Sequence, residues 1–460
     1  MPQFIARPPR SMWTIAAAVI VLTVIIIMAP VIRHPSAHTL GKHHKPTPTA
    51  TPYPSSTPLP TLAPTDTPAP TPTTQATPFP TSTPAPTVPP TIAPTATPAP
   101  QPTPTPTVGP ALYTVPASIP HDCSVTVEGQ LMNFFATVPD GSTIQFQPGG
   151  CYGQDGTITL ADRNNLDIDG NGSTFEALTT GAPNRANWRI EGGSNIKLEH
   201  MTVWGADPIA STTGAAYNTT YEWQHGFAFD GTQGGILNRV SVHHVYGDFV
   251  EAEPDPRLGA VASPPARNIL VQDSTFDGAG RMGVGLTDVD GFVLQRSSLG
   301  NVTWDSVDLE LDIDQEHGSN IQILGNTFGP MRFDLFSNDG AGSSAVGNVT
   351  ISGNSEQALS PTCAAPVEVT APSGVYRSGY TVQNNTFYAY GDGTSFIRAQ
   401  NVAVSGNTIH FTNGGCGSFV GAHLTDSHTV GITNNALAGA GGVDSVDSLS
   451  SGVTVSGNTL

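Results

Sequence analysis

Basic residues are scarce in this 460-residue chain, and most of all in its longer part. Residues 111–460 contain 12 Lys and Arg against 35 Asp and Glu, a net charge of −23, and Lys197 is their only lysine. This charge disfavours binding to nucleic acid or to an anionic membrane surface, because both need basic patches that neutralise phosphate. We therefore expect no nucleic-acid partner, and a partner that is neutral, cationic or bridged by cations.

Cysteine is also rare. The four cysteines, Cys123, Cys151, Cys363 and Cys416, all follow residue 111, and no two of them form a C-x-x-C pair. This spacing argues against a zinc site and favours disulfides in an oxidising compartment. Cys123–Cys151 and Cys363–Cys416 are the pairings nearest in sequence, although four cysteines permit three connectivities.

Long apolar runs are absent with one exception, residues 13–32, WTIAAAVIVLTVIIIMAPVI. This run is uncharged and matches the ~20 residues that cross a bilayer. It lacks a clear A-x-A cleavage site, so we interpret it as an uncleaved transmembrane signal anchor after a short tail at residues 1–12. A cleaved signal is the alternative, and basic residues on both sides leave the orientation open. The expected location is the cell membrane, with a single pass and the following domain outside the cytoplasm.

Proline and threonine dominate residues 33–110, which contain repeated TPxP units. Such a segment has too little apolar surface to offset the entropy of folding. We predict a disordered, semi-rigid linker that leads from the membrane helix to a folded domain at residues 111–460.

A repeat organises residues 111–460. NIQILGNTF begins at 320, NVTISGNS at 348, GYTVQNNTF at 379 and NVAVSGNTI at 401, and the shortest intervals along the chain are 22–23 residues. Each motif is typical of a short strand that ends at Asn, Gly or Ser, which tolerate turn conformations. Because no unit buries its apolar face alone, stacked units share one core. The pattern predicts an all-β, right-handed parallel β-helix of about 10–11 coils, with an interior asparagine ladder.

The segment VPDGSTIQFQPGGCYGQDGTITLADRNNLDIDGNGSTF resembles the amino-terminal cap and first coils of the pectate-lyase-like superfamily of right-handed parallel β-helices. The resemblance covers roughly residues 115–460. It implies a protein that binds, cleaves or epimerises polysaccharide. The NTD, DD, GHG and RIK elements of polygalacturonases and the WIDH element of many pectate lyases are absent, so the motifs indicate the fold rather than a reaction.

An acidic strip is predicted on one face of the helix. In SVDLELDID (306–314), apolar and acidic residues alternate, as expected for a strand with one buried side. When the preceding and following segments are stacked with Phe227, Val250, Val284, Val307 and Phe333 inward, the neighbouring acids form outward columns. The candidate catalytic residues of this strip are Glu251, Glu253, Asp308, Glu310 and Asp334, with Arg281 at its edge. Closely stacked carboxylates such as Asp308 and Asp334 could also bind Ca²⁺.

Histidines and aromatic residues lie in sequence beside this strip. His225 and His244 are candidate general bases, since histidine titrates near neutral pH. The insertion at 205–224 and its borders supply Trp204, Tyr221 and Trp223, which could stack on sugar rings or close over the core.

Three functions fit these patterns. The first is a membrane-anchored extracellular enzyme that acts on polysaccharide, either a glycoside hydrolase or a polysaccharide lyase that relies on Ca²⁺. The second is a non-catalytic, glycan-binding or adhesive rod on the cell surface. The third is a purely structural surface protein. Separated pKa values in an acid/base pair would favour the enzyme over the rod.

Overall fold

A computed structural model describes residues 110–258, 263–357, 362–412, 416 and 419–460. The predicted signal anchor at 13–32 and the linker up to residue 109 lie outside these residues. Within the described part of the chain, no helix is long and apolar enough to cross a membrane.

The described strands form a parallel β-helix. They pair in parallel throughout, in a 23-stranded and an 11-stranded sheet. The larger sheet contains two columns of strands, so that each full coil has three faces, here named A, B and C in chain order.

Face A begins each coil. Its strands are Leu112–Thr114, Thr143–Gln145, the first part of Asn164–Ala177, the first part of Ser194–Trp204, Gln233–Asn238, Ala266–Gln272, Val289–Gln295, Gly318–Leu324, Val346–Ser352, Arg377–Gln383, Ala399–Ser405, His428–Thr433 and Ser451–Ser456.

Face B follows after a short turn. Its strands are Asp122–Thr126, Cys151–Gln154, the second part of Asn164–Ala177, the second part of Ser194–Trp204, Ser241–Val245, Thr275–Ala279, Ser298–Val302, Thr327–Phe328, Ser355–Glu356, Thr386–Ala389, Thr408–Phe411 and Ala436–Ala438.

Face C completes the coil. Its strands are Ile158–Ala161, Trp188–Glu191, Phe227–Asp230, Val250–Glu253, Val284–Leu286, Val307–Leu309, Phe336–Asn338, Val367–Thr370, Thr394–Ile397, Val420–Thr425 and Gly442–Val446. A short 3-10 helix, Gly214–Ala216, lies in the insertion between faces B and C.

The recurrent Asn and Gly of the repeat lie at turns. Asn320, Asn348 and Gly379 have φ values of 55°, 61° and 81° near the start of successive face A strands, where β-branched residues would be strained. After them, side chains alternate: Val349 and Ile351 are buried in the core, whereas Thr350 and Ser352 are partly exposed. The period of two in the sequence therefore corresponds to an inner and an outer side of face A.

The predicted asparagine ladder is confirmed at the turn between faces A and B. The side-chain amide of Asn354 donates to Asn385 Oδ1 at 3.0 Å, and that of Asn385 donates to Asn407 Oδ1 at 2.9 Å. Each side chain also accepts a backbone amide from the preceding coil, as Asn407 does from Asn385. The ladder includes Asn326, Asn354, Asn385, Asn407, Asn435 and Asn458. It satisfies buried backbone groups that would otherwise be costly to leave unpaired.

The amino-terminal side of the core is closed by one helix, Glu128–Phe135, which buries Leu131 and Phe135. The ring of Phe135 stacks on that of Trp188, with centroids 6.1 Å apart. The four cysteines form disulfides, as predicted, and of the three connectivities left open the structure has the pairs nearest in sequence, Cys123–Cys151 and Cys363–Cys416.

Candidate functional site on face C

The outer side of face C is buried, whereas the sequence predicts an outward-facing acidic strip that is open to a cation or a sugar. All four residues of Phe227–Asp230 and of Val250–Glu253 are buried, although alternate side chains point away from the core. Glu251 is 2% exposed and Asp308 is 0% exposed. Trp223, in the insertion before face C, packs against the Arg281 guanidinium, and alternation within a strand cannot predict such a contact.

The register of the first acidic column is as predicted over three coils. Glu251 pairs with Gly285, and Gly285 pairs with Asp308. Glu253 lies beside Asp230 in the second column. Glu310 follows directly after Val307–Leu309, and its backbone amide donates to Leu286 O at 2.9 Å. The strand itself ends at Leu309, so the second half of SVDLELDID is not extended sheet.

The predicted position of Asp334 is wrong. Phe336, rather than Phe333, pairs with Val307, and Ser337 takes the place beside Asp308. Asp334 lies in the preceding turn, where its amide donates to Asp305 Oδ1 at 2.9 Å. A shift of three residues reverses the side to which a strand residue points. The Asp308–Asp334 pair expected to bind Ca²⁺ is therefore not a register pair.

A cluster of ionisable side chains does form around Glu251, and we name it the face C cluster: His225, Asp248, Glu251, Arg281 and Glu310. His225 Nε2 lies 2.7 Å from Glu251 Oε2. The backbone amide of Asp248 donates to His225 Nδ1 at 3.0 Å. Because Nδ1 accepts this bond, a neutral ring carries its proton on Nε2, facing Glu251.

Asp248 connects the histidine to Arg281. Asp248 Oδ1 accepts the Met282 amide at 2.9 Å, and Arg281 Nη1 donates to Asp248 Oδ2 at 2.9 Å. Burial raises the pKa of Asp248, and the nearby charges of Arg281 and His225 oppose that rise. Asp248 occupies the turn position two residues before its strand, which is also the position of His225 in the previous coil.

Arg281 bridges two carboxylates, since its other guanidinium nitrogen, Nη2, donates to Glu310. Burial would lower the pKa of Arg281, but Asp248 and Glu310 outweigh it and hold the pKa well above its usual value. The guanidinium also lies 5.8 Å from the centroid of the Trp223 ring. Arg281 is therefore permanently charged, and its two salt bridges favour ionised carboxylates.

Glycine at position 285 makes room for this bridge. A Cβ at Gly285 would lie 2.6 Å from Asp248 Oδ2 and 3.7 Å from Arg281 Nη1. The Asp248–Arg281 salt bridge therefore requires a glycine at position 285, in the middle of the acidic column.

Glu316 is a further acidic residue of this region that sequence reasoning missed. Its Oε2 accepts the backbone amides of Asp312 and Ile313, at 2.5 and 3.2 Å. Burial raises the pKa of Glu316 to about 7, and the charges of Asp288 and Glu310 add to the rise. Glu316 is half-buried in a loop whose residues 313–315 and 317 are exposed, so no pattern in the local sequence distinguishes this glutamate.

Of the predicted sugar-stacking residues, Trp223 lies at the face C cluster. Tyr221 packs on Tyr246, with centroids 5.1 Å apart. Trp204 belongs to face B, where it is 39% exposed and stacks on the His244 ring at 5.4 Å. Two other aromatic residues, Tyr217 and Trp304, pack together at 5.1 Å, and Tyr217 donates to Glu222.

His244 is likewise a face B residue. Its Nδ1 lies 3.2 Å from the carbonyl oxygen of Asp207, and its φ of 54° places it at a bend of the chain. The structure therefore separates the two predicted general bases: His225 enters the face C cluster, and His244 contacts Trp204.

A metal could be considered for His225, Asp248 and Glu251, whose potential ligand atoms lie within 4.8 Å of one another. The donor atoms are already engaged, however. The Asp248 amide occupies His225 Nδ1, and Arg281 occupies Asp248 Oδ2. A cation at this point would have to displace a guanidinium that carries the same charge sign.

Comparison with known proteins gives structural matches alone, because no protein-family model and no curated protein matches the chain. The A-module of the Azotobacter vinelandii mannuronan C-5 epimerase AlgE6 matches with a TM-score of 0.50 and 14% identity, over 75% of this chain and 98% of that one. PfbA, a surface adhesin of Streptococcus pneumoniae, matches with a TM-score of 0.50 and 12% identity, over 74% and 87%. A family 28 exopolygalacturonase of Yersinia enterocolitica matches with a TM-score of 0.50 and 8% identity, over 76% of each.

The chain shares the parallel β-helix fold of these proteins. At these identities the likeness shows the β-helix architecture and no particular reaction. The neighbours include both polysaccharide-acting enzymes and an adhesin, so the site on this β-helix must supply the argument for its function.

Proposed function

We propose that this β-helix is an extracytoplasmic glycoside hydrolase, held at the cell membrane by residues 13–32, which cleaves a polysaccharide at the face C cluster. The observation that carries the proposal is the Arg281 bridge between Asp248 and Glu310, beneath the ring of Trp223. It places a carboxylate, a fixed positive charge and an aromatic ring together.

Two carboxyl groups with opposite protonation states are what glycosidic hydrolysis requires. The hydrogen bond from Arg281 favours the ionised form of Glu310, in which Glu310 can act as base or nucleophile. Glu316, with a pKa of about 7, retains a proton near neutral pH and can donate it to the leaving oxygen. The loop that follows face C in this coil thus supplies both partners of the reaction.

Three residues of the cluster act through positioning. His225 and Glu251 fix each other and the Asp248 backbone, Asp248 holds Arg281, and Arg281 holds Glu310. A chain of this kind keeps a reactive carboxylate in one orientation, which lowers the entropy cost of reaching the transition state. His225, Asp248 and Glu251 are therefore positioning residues, whereas Glu310 and Glu316 are the groups that contact substrate.

The substrate class follows from the charge and the fold. A strongly acidic domain repels phosphate polymers, whereas a neutral glycan, or a uronate neutralised by Arg281 or by a cation such as Ca²⁺, is compatible with it. That an epimerase and a polygalacturonase share the fold supports a polysaccharide as the partner.

A glycan-binding rod is the second candidate, and the burial of His225, Asp248 and Glu251 favours it. If the face C cluster only stabilises the coils, aromatic residues on the outer surfaces of the rod would bind glycan without cleavage.

Depolymerisation of a panel of neutral and uronate polysaccharides by the full-length chain, purified in mild detergent, tests the proposal. We expect the wild type to produce new reducing ends. The rate of their formation should be at least about 100-fold lower in the Glu310→Gln and Glu316→Gln variants. Because Glu316 must be protonated to act as acid, the rate of the wild type should fall as pH rises above about 7. Unsaturated products would indicate a lyase instead. Retention of glycan without cleavage in wild type and variants alike would favour the rod.

A further inference from the structure

A second group of polar residues lies on face C, in strands Thr394–Ile397 and Val420–Thr425. The two strands are neighbours, with Ser395 opposite His423 and Ile397 opposite Thr425. His423 and Thr425 are two residues apart on one strand, so their side chains point to the same outer side. The buried pair of His225 and Glu251 is not accessible to solvent, whereas the His423 side chain is 34% exposed.

His423 contacts an acid on one side and a hydroxyl on the other. Its Nδ1 lies 3.4 Å from Asp392 Oδ2. Its Nε2 lies 3.3 Å from Thr425 Oγ1. This is the order carboxylate, imidazole, hydroxyl that activates a hydroxyl nucleophile. Contacts of this length are long for hydrogen bonds, and catalytic contacts of this kind shorten when substrate binds.

The turn before Thr394–Ile397 fixes Asp392. A Cβ at Gly393 would lie 2.8 Å from the carbonyl oxygen of Gly421, so the chain passes close to the next coil at this point. Asp392 Oδ1 accepts the Val420 amide at 3.4 Å, which orients its other oxygen toward His423. Burial raises the pKa of Asp392, and the charge of His423 opposes that rise.

We propose that Asp392, His423 and Thr425 form an esterase site, with Thr425 as nucleophile, that hydrolyses short acyl esters such as O-acetyl groups. The site shares no residue with the face C cluster and its chemistry needs no glycosidic bond, so it does not depend on the proposed hydrolase.

The reaction consumes only ester and water. Thr425 Oγ1 attacks the acyl carbon while its proton passes to His423 Nε2, and the bond between the acyl carbon and the alcohol oxygen breaks as that oxygen takes the proton. Water then attacks the acyl-threonine, again giving a proton to His423. Acid is released and Thr425 recovers its proton. Asp392 stabilises the transient imidazolium as a positioning residue, and Ser395, opposite His423, supplies a hydroxyl donor beside it.

Hydrolysis of p-nitrophenyl acetate by the full-length chain tests this site, with peptide mass spectrometry after acid quench to locate the acetyl group. We expect an acetyl group on Thr425, and a loss of about 100-fold in kcat/KM for His423→Gln and Thr425→Val. Thr425→Ser should retain activity, because it keeps the hydroxyl. Asp392→Asn should lower kcat and alter the pH profile, which a merely structural role would not do.

The matched control is His317→Gln. His317 is exposed and lies 3.7 Å from Asp288, but it belongs to a different coil and to neither site. Its variant should hydrolyse the ester at the wild-type rate. Equal rates for wild type and His423→Gln would overturn the proposal. So would acetyl transfer that survives in Thr425→Val and is lost in Ser395→Ala. Circular dichroism and urea unfolding of each variant separate these outcomes from loss of fold.

Discussion

A buried glutamate in face B provides a direct test of the structure. Glu356 occupies an inward position, in register with Phe328 of the preceding coil, and is 2% exposed. Its Oε2 accepts the Tyr388 amide at 2.8 Å, and its Oε1 has no hydrogen-bond partner among the described residues. Burial raises the pKa of Glu356 to about 8, although the Tyr388 amide favours the ionised form. At neutral pH this side chain therefore keeps its proton.

The size of the effect of Glu356 on the free energy of unfolding follows from the linkage between proton binding and folding. The pKa of Glu356 is 4.5 in the unfolded chain and about 8 in the folded one, so the folded state binds the proton more tightly. Stability is greatest below the unfolded pKa and is lost as pH rises through the folded pKa. The difference of about 3.5 between the folded and unfolded pKa values corresponds to a loss of at most about 5 kcal/mol in the free energy of unfolding. The Glu356→Gln variant, which keeps the shape without the charge, should not show this loss.

The assay is urea unfolding of wild type and Glu356→Gln from about pH 5 to about pH 9. The free energy of unfolding of the variant should rise relative to wild type by several kcal/mol across this range. Glu176→Gln, on the exposed side of face B, is the matched control and should show no such trend. A wild type and a Glu356→Gln variant that differ by a constant amount at every pH would refute the burial of an ionisable group in this coil.

Three further predictions follow from contacts described above. Gly285→Ala places a methyl group 2.6 Å from Asp248 Oδ2, so polysaccharide cleavage should fall at least about tenfold in the reducing-end assay, with the fold retained in circular dichroism. Asn407→Ala removes one rung of the asparagine ladder and leaves buried amides unpaired, which should lower the urea unfolding free energy by about 2–4 kcal/mol. Replacement of both Cys363 and Cys416 by Ala opens a cross-link between residues 53 apart and should cost about 4 kcal/mol, measured by the same method.

The sequence predicts much of the fold because the repeat carries redundant information. Each coil presents the same alternation and the same turn residues, so the register of Glu251, Gly285 and Asp308 can be counted from the sequence. The predicted register of Asp334 is wrong for a local reason. RFDLFSND places apolar residues at 333, 335 and 336, which support two registers with opposite faces. Pairing with the neighbouring coils, rather than local pattern, selects Phe336.

The candidate site is less predictable from the sequence, because turns and loops determine where its side chains lie and how far they are buried. The strand Ser194–Trp204 runs through faces A and B, so Trp204 and the adjacent His244 lie on face B rather than on the acidic face. Asp248 lies in a turn, outside the alternating pattern that identified the other acids. The burial that raises the pKa of Glu316 depends on how a loop folds back, which no short segment encodes.

Because coils stack one on another, the length of the β-helix can change without changing the residues of the face C cluster. The face C cluster draws on four consecutive face C strands and the turns beside them, between His225 and Glu310. Each coil contacts its immediate neighbours, so a coil gained or lost elsewhere by unequal recombination would shift the remaining coils by ~4.8 Å without altering the cluster. Evolution can thus tune the reach of such a rod in whole-coil steps while selection on the cluster holds those four coils constant.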